Sequence, residues 1–325
     1  MTIGVIGGGA WGTALAQVMA AREDVLLWAR EPEVVSAVNK GENGLFLPGV
    51  RLDARVRATV DLNDLVAADL WLVVVPAQHV RRVLAAAPLA AKPALVMCAK
   101  GIEAGSLKLV AEVASELSPD MSGAGQLAVL SGPTFAGEVA RGLPTAVTLA
   151  CADAQAGALL VQRLVRPGFR LYLSDDVTGA EIGGAVKNVL AIGCGVVEGA
   201  GLGLNARAAL IARGFAEMTR FGVARGARPE TLAGLSGLGD LVLTCTSTNS
   251  RNFTLGAGLG RGERAADLLA TRTVAEGAAT APVLVAAARA VGVDMPICAA
   301  VAALLNGAPL AETVAALMTR PLRDE

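Results

Sequence analysis

Short apolar runs recur through the first half of the chain, each set off by a polar or glycine-rich break and a segment of helical spacing. They are "IGVIG" at 3–7, "DVLLWA" at 24–29, "LWLVVVP" at 70–76, "ALVMCAKG" at 94–101, "LAVLSGP" at 127–133 and "PTAVTLAC" at 144–151. The Ala-rich stretch Thr13–Ala21 fills most of the first gap. Runs that are apolar throughout suit strands covered on both faces, so this half predicts βα units around a mostly parallel, buried sheet. After about residue 178 the β-branched runs stop, and Ala/Leu/Gly segments with helical spacing take over at 181–198, 205–226, 274–292 and 296–306. The pattern predicts an α/β domain over 1–178 and an all-α domain over 179–325, with the boundary just after "LYLSDDVTG".

Length and charge narrow the classes. A chain of 325 residues exceeds the size at which single cores stop growing, which agrees with two domains. Its 28 Lys+Arg against 29 Asp+Glu, with no basic block and 3% aromatics, exclude nucleic acid as a partner. The mean hydropathy of +0.54 raises a membrane question. The longest uncharged run, Thr2–Ala21, holds five glycines and has no basic residue before it, so it fits neither a signal peptide nor a lipid-spanning helix. Ala-rich soluble helices account for the apolar balance, and no stable membrane insertion is expected.

Cys98, Cys151, Cys194, Cys245 and Cys298 stand 43 to 53 residues apart with no C-x-x-C. That spacing argues against a metal site or a disulfide framework and for a reducing cytoplasm. A single histidine, His79, excludes triads built on histidine pairs and multi-histidine metal sites.

Gly7, Gly9 and Gly12 form G-x-G-x-x-G between the run "IGVI" and a helical segment. In that strand-turn-helix context the motif predicts a dinucleotide whose pyrophosphate meets backbone N–H groups at a helix N-terminus. The tip of the second predicted strand reads "LLWAREPE", placing Arg30 where an acidic residue would hold a ribose 2′-hydroxyl. A guanidinium there suits a 2′-phosphate, so NADP(H) is preferred and NAD(H) is possible. The alternative leaves Arg30 solvated and gives the ribose to Glu31.

Lys187 is the one cation in "EIGGAVKNVLAIGCGVVE" at 181–198. Burying an unpaired ammonium is costly, so the residue needs a reason. Ala180, Gly183, Gly184, Ala191 and Cys194 share its face at helical spacing. Small side chains there are expected to leave room for a ligand rather than to pack. The competing reading makes Lys187 a structural cation paired with Glu181 or Glu198.

"CAKGIE" around Lys100, "SGPTFAGEVARGLPT" from Ser131 and "GLGDLVLTCTSTNSRN" from Gly237, taken with the Gly-rich start and "GGAVKNV", resemble the NAD(P)-dependent glycerol-3-phosphate dehydrogenases over essentially the whole chain. The resemblance implies an N-terminal Rossmann domain with a mostly parallel sheet and an all-α C-terminal domain of the 6-phosphogluconate-dehydrogenase-like kind. It implies interconversion of dihydroxyacetone phosphate and sn-glycerol 3-phosphate for phospholipid synthesis, by a cytoplasmic homodimer without a metal.

Carried over residue by residue, the resemblance makes Lys187 the catalytic acid/base. It assigns Lys100, Gly132, Thr134, Asp240, Ser250, Arg251 and Asn252, with Lys187, to the substrate. It assigns Gly7, Gly9, Ala10, Trp11, Gly12, Arg30, Lys100, Ala136, Arg251, Val274 and Glu276 to the dinucleotide. Asn188 and Thr244 match positions lining the site. Two readings compete: a two-domain 3-hydroxyacid or ketopantoate-type dehydrogenase, which would share the Lys-Asn pair, and a dinucleotide sensor without turnover, which would need only the nucleotide half.

Overall fold

The computed structural model describes residues 2–119, 126–270 and 275–321. The described chain divides into two compact units, one comprising 1–100 and 108–181, the other 101–107 and 182–325.

The first unit carries strands β1 (Thr2–Ile6), β2 (Asp24–Trp28), β3 (Glu42–Asn43), β4 (Leu47–Arg51), β5 (Val56–Thr59), β6 (Leu70–Val73), β7 (Ala94–Met97), β8 (Leu127–Ser131), β9 (Thr145–Ala150) and β10 (Phe169–Ser174). Eight of them form one sheet in the order β10-β9-β8-β7-β6-β1-β2-β5, while β3 and β4 make a separate antiparallel pair. Every pairing in the large sheet is parallel except β8 with β9.

The apolar runs read as doubly covered strands because they are. Ile3, Val5, Leu70, Leu72, Val96 and Cys98 belong to the core on one face, and Ile6, Trp71, Val73, Leu95 and Met97 to the core on the other. That division follows the period-two alternation of strand side chains. Gly4 makes room for Trp71, whose Cδ1 would lie 2.8 Å from a Cβ at that position.

Sequence patterning gave no signal for β5, β10 or the short β3–β4 pair. β5 and β10 are the sheet's edges. In β10, Phe169 and Leu171 are buried while Arg170 and Tyr172 are exposed, with the Arg170 guanidinium stacked 5.1 Å from the Tyr172 ring centre. Half-exposed strands lack a continuous apolar run. The β5 edge is blocked against further pairing by Asn39, whose amide donates to Ala58 O (3.0 Å) and accepts from Ala58 N–H (2.9 Å). At the opposite end of the strands, Arg163 binds Glu23 (2.9 Å) and Asp69 (2.7 Å), and its guanidinium holds the Asp69 carboxyl below the usual carboxylate range.

The named elements of the second unit are helical. They include the body of Val177–Gly199, then Gly203–Ala224, Asp240–Cys245, Arg251–Gly260, Glu276–Ala290, Pro296–Leu305 and Leu310–Met318. Val177–Gly199 has the length and hydropathy of a membrane span, yet that apolar stretch lies entirely inside the protein, as a core helix does. Glu217, also buried, accepts from the N–H groups of Ile297 (2.7 Å) and Cys298 (3.2 Å) at the start of Pro296–Leu305. Burial pushes its carboxyl up, and those two backbone donors partly offset the effect.

Candidate active site

In the first unit the predicted ligand residues gather where strands end. Gly7 follows β1, Lys100 follows β7 and Gly132 follows β8, at the carboxyl edge where open α/β sheets take their ligands. Gly7 has φ +129°, which a side chain would disfavour. Gly12, in the first turn of the helix Ala10–Met19, would put a Cβ 1.9 Å from Gly7 O, so only glycine lets the helix sit this close to the loop. Gly9 is the opposite case. It has φ −70°, and no heavy atom lies within 4 Å of where its Cβ would be. That open side, beside the first N–H groups of a ten-residue helix, fits the pyrophosphate of a dinucleotide.

The loop is braced by a residue that the sequence did not single out. Asn43, 1% exposed, donates through Nδ2 to Gly8 O (3.0 Å) and Thr13 Oγ1 (2.8 Å), and Thr13 donates in turn to Gly8 O (3.3 Å). An Asn amid "ENGLFLPG" reads as a turn residue, and only the fold reveals the contact. Trp11 and Ala136 meet in one small apolar cluster with Ala14, Leu47 and Ala140, so the structure unites two of the proposed dinucleotide contacts.

A substitution pair separates fold from binding at this loop. Gly9→Ala is expected to cost less than about 1 kcal/mol of stability, because its methyl meets nothing in the protein. The same methyl fills the side open to a phosphate, so dinucleotide affinity, read by fluorescence titration, should fall about tenfold or more. Gly12→Ala should destabilise the protein itself in a thermal melt.

Arg30 follows β2 with its side chain 71% exposed, and its guanidinium donates to Glu31 Oε1 through Nη2 (2.6 Å) and Nε (3.0 Å). The two residues offered as alternatives for the ribose are therefore joined. Lys100 Nζ donates to Gly132 O (3.1 Å), and Thr134 Oγ1 lies 3.4 Å from the same oxygen. Gly132 has φ +153°, and a Cβ there would lie 2.9 Å from Val147 Cα. Burial pushes the Cys98 thiol up despite the Lys100 charge, which keeps it neutral.

In the second unit, Lys187 finds its partner outside its own helix. Its Nζ donates to Asp240 Oδ1 at 3.0 Å and to Thr244 Oγ1 at 2.9 Å. Lys187 is 7% exposed and Asp240 fully buried. Thr244 donates its own hydrogen to Asp240 O at 2.6 Å, with Asp240 Oδ1 at 3.2 Å. Glu181 accepts from Ala111 N–H (2.8 Å), and Glu198 pairs with Arg207 (3.0 Å). Asp240 is delivered by a single π-turn, Leu235–Gly239, closed by a bond from Gly239 N–H to Gly234 O (3.0 Å). π-turns often occur where a functional side chain must be re-aimed. Beside the cluster, the Cys245 thiol is held well above its ordinary range by its hydrogen bond to Cys194 and then by burial, so it stays neutral.

The small face around Lys187 does not serve as expected. Ala180, Ala191 and Cys194 are fully buried, and a Cβ on Gly183 would lie 2.3 Å from Ser236 O. Further along the helix, Gly195 and Gly199 approach the backbone of Phe253 and Ala257 in the same way. The face is small so that other backbone can come close, not so that a ligand can.

Ser250 caps Arg251–Gly260, accepting from Phe253 N–H at 3.2 Å. Arg251, the first residue of that helix, is exposed. Asn252 Nδ2 donates to Asn188 Oδ1 (2.9 Å), and Asn252 Oδ1 accepts from Gly277 N–H (3.0 Å). Glu276 opens the helix Glu276–Ala290, while Val274 lies outside the described residues. His79 is exposed and ends a short 3-10 turn. No group of three or more metal-ligating side chains occurs among the described residues.

Two family models match the chain: the N-terminus of NAD-dependent glycerol-3-phosphate dehydrogenase over residues 2–157, and its C-terminus over residues 176–316. The chain is 60% identical to a protein of Sphingopyxis alaskensis named glycerol-3-phosphate dehydrogenase NAD(P)+ 1, covering 99% of this chain and 97% of that one. It is 56% identical to the like-named protein of Caulobacter vibrioides, covering 99% and 98%. Among solved structures, glycerol-3-phosphate dehydrogenase of Coxiella burnetii superposes with a TM-score of 0.91 at 38% identity, over 98% of this chain and 99% of that one.

Proposed function

Since the chain belongs to the NAD-dependent glycerol-3-phosphate dehydrogenase family, we propose that it reduces dihydroxyacetone phosphate to sn-glycerol 3-phosphate with Lys187 as the acid/base. It is an NAD(P)-dependent oxidoreductase. The observation that carries the mechanism is the buried cluster of Lys187, Asp240 and Thr244.

When bound, the reduced nicotinamide supplies the hydride. Negative charge then develops on the carbonyl oxygen of the substrate and must be neutralised by a donor already in place. The Lys187 ammonium gives its proton to that oxygen, and takes one back in the reverse direction. Asp240 places a counter-charge 3.0 Å from the buried ammonium, and Thr244 fixes where its nitrogen sits. The substrate phosphate goes to the start of Arg251–Gly260, where an exposed guanidinium adds a bidentate fork to the positive end of a ten-residue helix. In the first unit, the family membership supports a substrate role for Lys100, Gly132 and Thr134, which share the Gly132 carbonyl oxygen. Gly7, Gly9, Ala10, Trp11, Gly12, Arg30 and Ala136 are our proposed dinucleotide contacts in that unit.

The 3-hydroxyacid reading loses its ground to the family match over both halves. The sensor reading leaves the Lys187–Asp240 pair without a task.

NADP(H) is our proposed preference, supported by the exposed Arg30 guanidinium and by its hold on Glu31. Arg30→Asp should shift the ratio of kcat/KM for NADPH over NADH toward NADH by about tenfold or more. The decisive assay follows the nicotinamide absorbance with dihydroxyacetone phosphate, once with each dinucleotide. Failure of both to turn over would end the proposal. Five buried cysteines that form no disulfide support a reducing cytoplasm. The apolar helix Leu310–Met318, with no buried residue, supports a homodimer. Supply of glycerophospholipid synthesis is the corresponding role.

A further inference from the structure

The carbonyl oxygen of Gly8 is held by two side chains. Asn43 Nδ2 donates to it at 3.0 Å and Thr13 Oγ1 at 3.3 Å. A carbonyl can only accept, so the Asn43 atom facing it is the nitrogen, and the same nitrogen donates to Thr13 Oγ1 at 2.8 Å. At the other end of the amide, Asn43 Oδ1 lies 3.4 Å from Phe46 N–H, which can only donate. Rotating the amide would therefore set like against like at both ends. Asn43 is 1% exposed and Thr13 fully buried, so water does not compete for these bonds.

The direction of this carbonyl decides that of its neighbour. The peptide between Gly8 and Gly9 is trans, and in a trans peptide the C=O and the following N–H point opposite ways. With Gly8 O drawn toward Asn43 and Thr13, the Gly9 N–H points away from them. Gly9 stands immediately before the helix Ala10–Met19, so its N–H joins the first free N–H groups of that helix. Both residues of the peptide are glycines, and neither has a side chain to oppose a flip that would put an oxygen where an anion is to bind. The hold must come from other residues.

We propose that Asn43 is a positioning residue for the dinucleotide: by fixing Gly8 O it keeps the Gly9 N–H turned toward the pyrophosphate. Thr13 shares the hold, and Asn43, being buried, does not touch the dinucleotide itself. This rests on the dinucleotide contacts proposed above, with the pyrophosphate at Gly9.

The test reads the dissociation constants of NADPH and NADH in the whole protein by fluorescence titration, with thermal melts and steady-state rates alongside. Asn43→Leu keeps most of the side-chain bulk but cannot donate, and should weaken both dinucleotides by the same factor, about fivefold. Asn43→Asp sets a carboxylate oxygen against Gly8 O and should weaken both by about tenfold or more. In each variant kcat at saturating dinucleotide should stay within about twofold of the parent. A purely structural Asn43 would lower the melting temperature and leave both dissociation constants of the folded protein unchanged, which overturns the proposal. A loss for one dinucleotide only does the same, because it places the effect at the ribose end. Parental affinity in Asn43→Leu beside a loss in Asn43→Asp makes charge rather than orientation responsible, and the proposal falls. Should Asn43→Leu not fold, Thr13→Val removes the other donor to Gly8 O and should weaken both dinucleotides about threefold; parental affinity there is equally fatal. If instead Gly9→Ala binds both dinucleotides as the parent does, the placement of the pyrophosphate at this loop is what fails.

Discussion

Lys187→Ala should reduce kcat for dihydroxyacetone phosphate by a factor of about 10²–10⁴, the range expected when a positioned general acid is lost. Dinucleotide affinity should survive, because the glycine loop and Arg30 belong to the other unit. The variant will also be less stable, because Asp240 is fully buried and loses its cation. Removing one partner of a buried pair costs about 3–5 kcal/mol. Stability and chemistry are separated by a second variant, Lys187→Met combined with Asp240→Asn, which removes both charges of the pair. Its melting temperature should recover most of the loss while turnover stays as low as in Lys187→Ala. Recovery of turnover would show that Lys187 serves the fold, and near-normal turnover in Lys187→Ala would dispose of the acid/base role.

The sequence shows most clearly what is buried on two sides. The inner strands β1, β6, β7 and β8 stood out as unbroken apolar runs because helices or other chain cover both faces, as the complete burial of Ile3, Trp71 and Val96 shows. β5 and β10 went unread because an edge strand needs only one covered face, and its exposed positions carry residues such as Arg57 or Arg170 that also suit loops. The reversal between β8 and β9 leaves no mark at all. Strand direction is set by the connection, and a buried strand has the same composition either way.

The chemistry-bearing residues were legible where their type is anomalous for its setting. A cation within a glycine-rich, apolar helix is such an anomaly, and Lys187 was read from it. Asn43 is not one, since an amide in a turn is ordinary, and only its contacts with Gly8 and Thr13 reveal a task. Asn188 and Asn252 lie between these cases. Their positions could be matched to a family, but the bond that joins their side chains, 64 residues apart in sequence, shows only in the fold. The small face around Lys187 was misread for a physical reason: absence of a side chain permits a ligand and permits a neighbouring backbone equally.

That ambiguity supplies a test on one helix. Gly183→Ala places a methyl 2.3 Å from Ser236 O and 2.8 Å from Gly237 Cα, both backbone, so the π-turn at 235–239 must move. Asp240 is the next residue, and any shift of about 1 Å separates it from Lys187, with which it now shares a 3.0 Å bond. Overpacking of this kind costs about 1–3 kcal/mol or more. Turnover should fall about a hundredfold, as is usual when a catalytic group is misplaced by that distance. Gly193→Ala, ten residues on in the same helix, is the matched control. Its methyl meets only side-chain ends, Val301 Cγ2 at 3.2 Å and Leu210 Cδ1 at 3.4 Å, which can yield by a few tenths of an ångström. Alanine also stabilises a helix interior by about 0.5–1 kcal/mol over glycine, so this variant should melt near the parent temperature and keep its activity. Were Gly183→Ala to match Gly193→Ala in both measurements, the small face would be open space after all, and the original expectation of room for a ligand would stand.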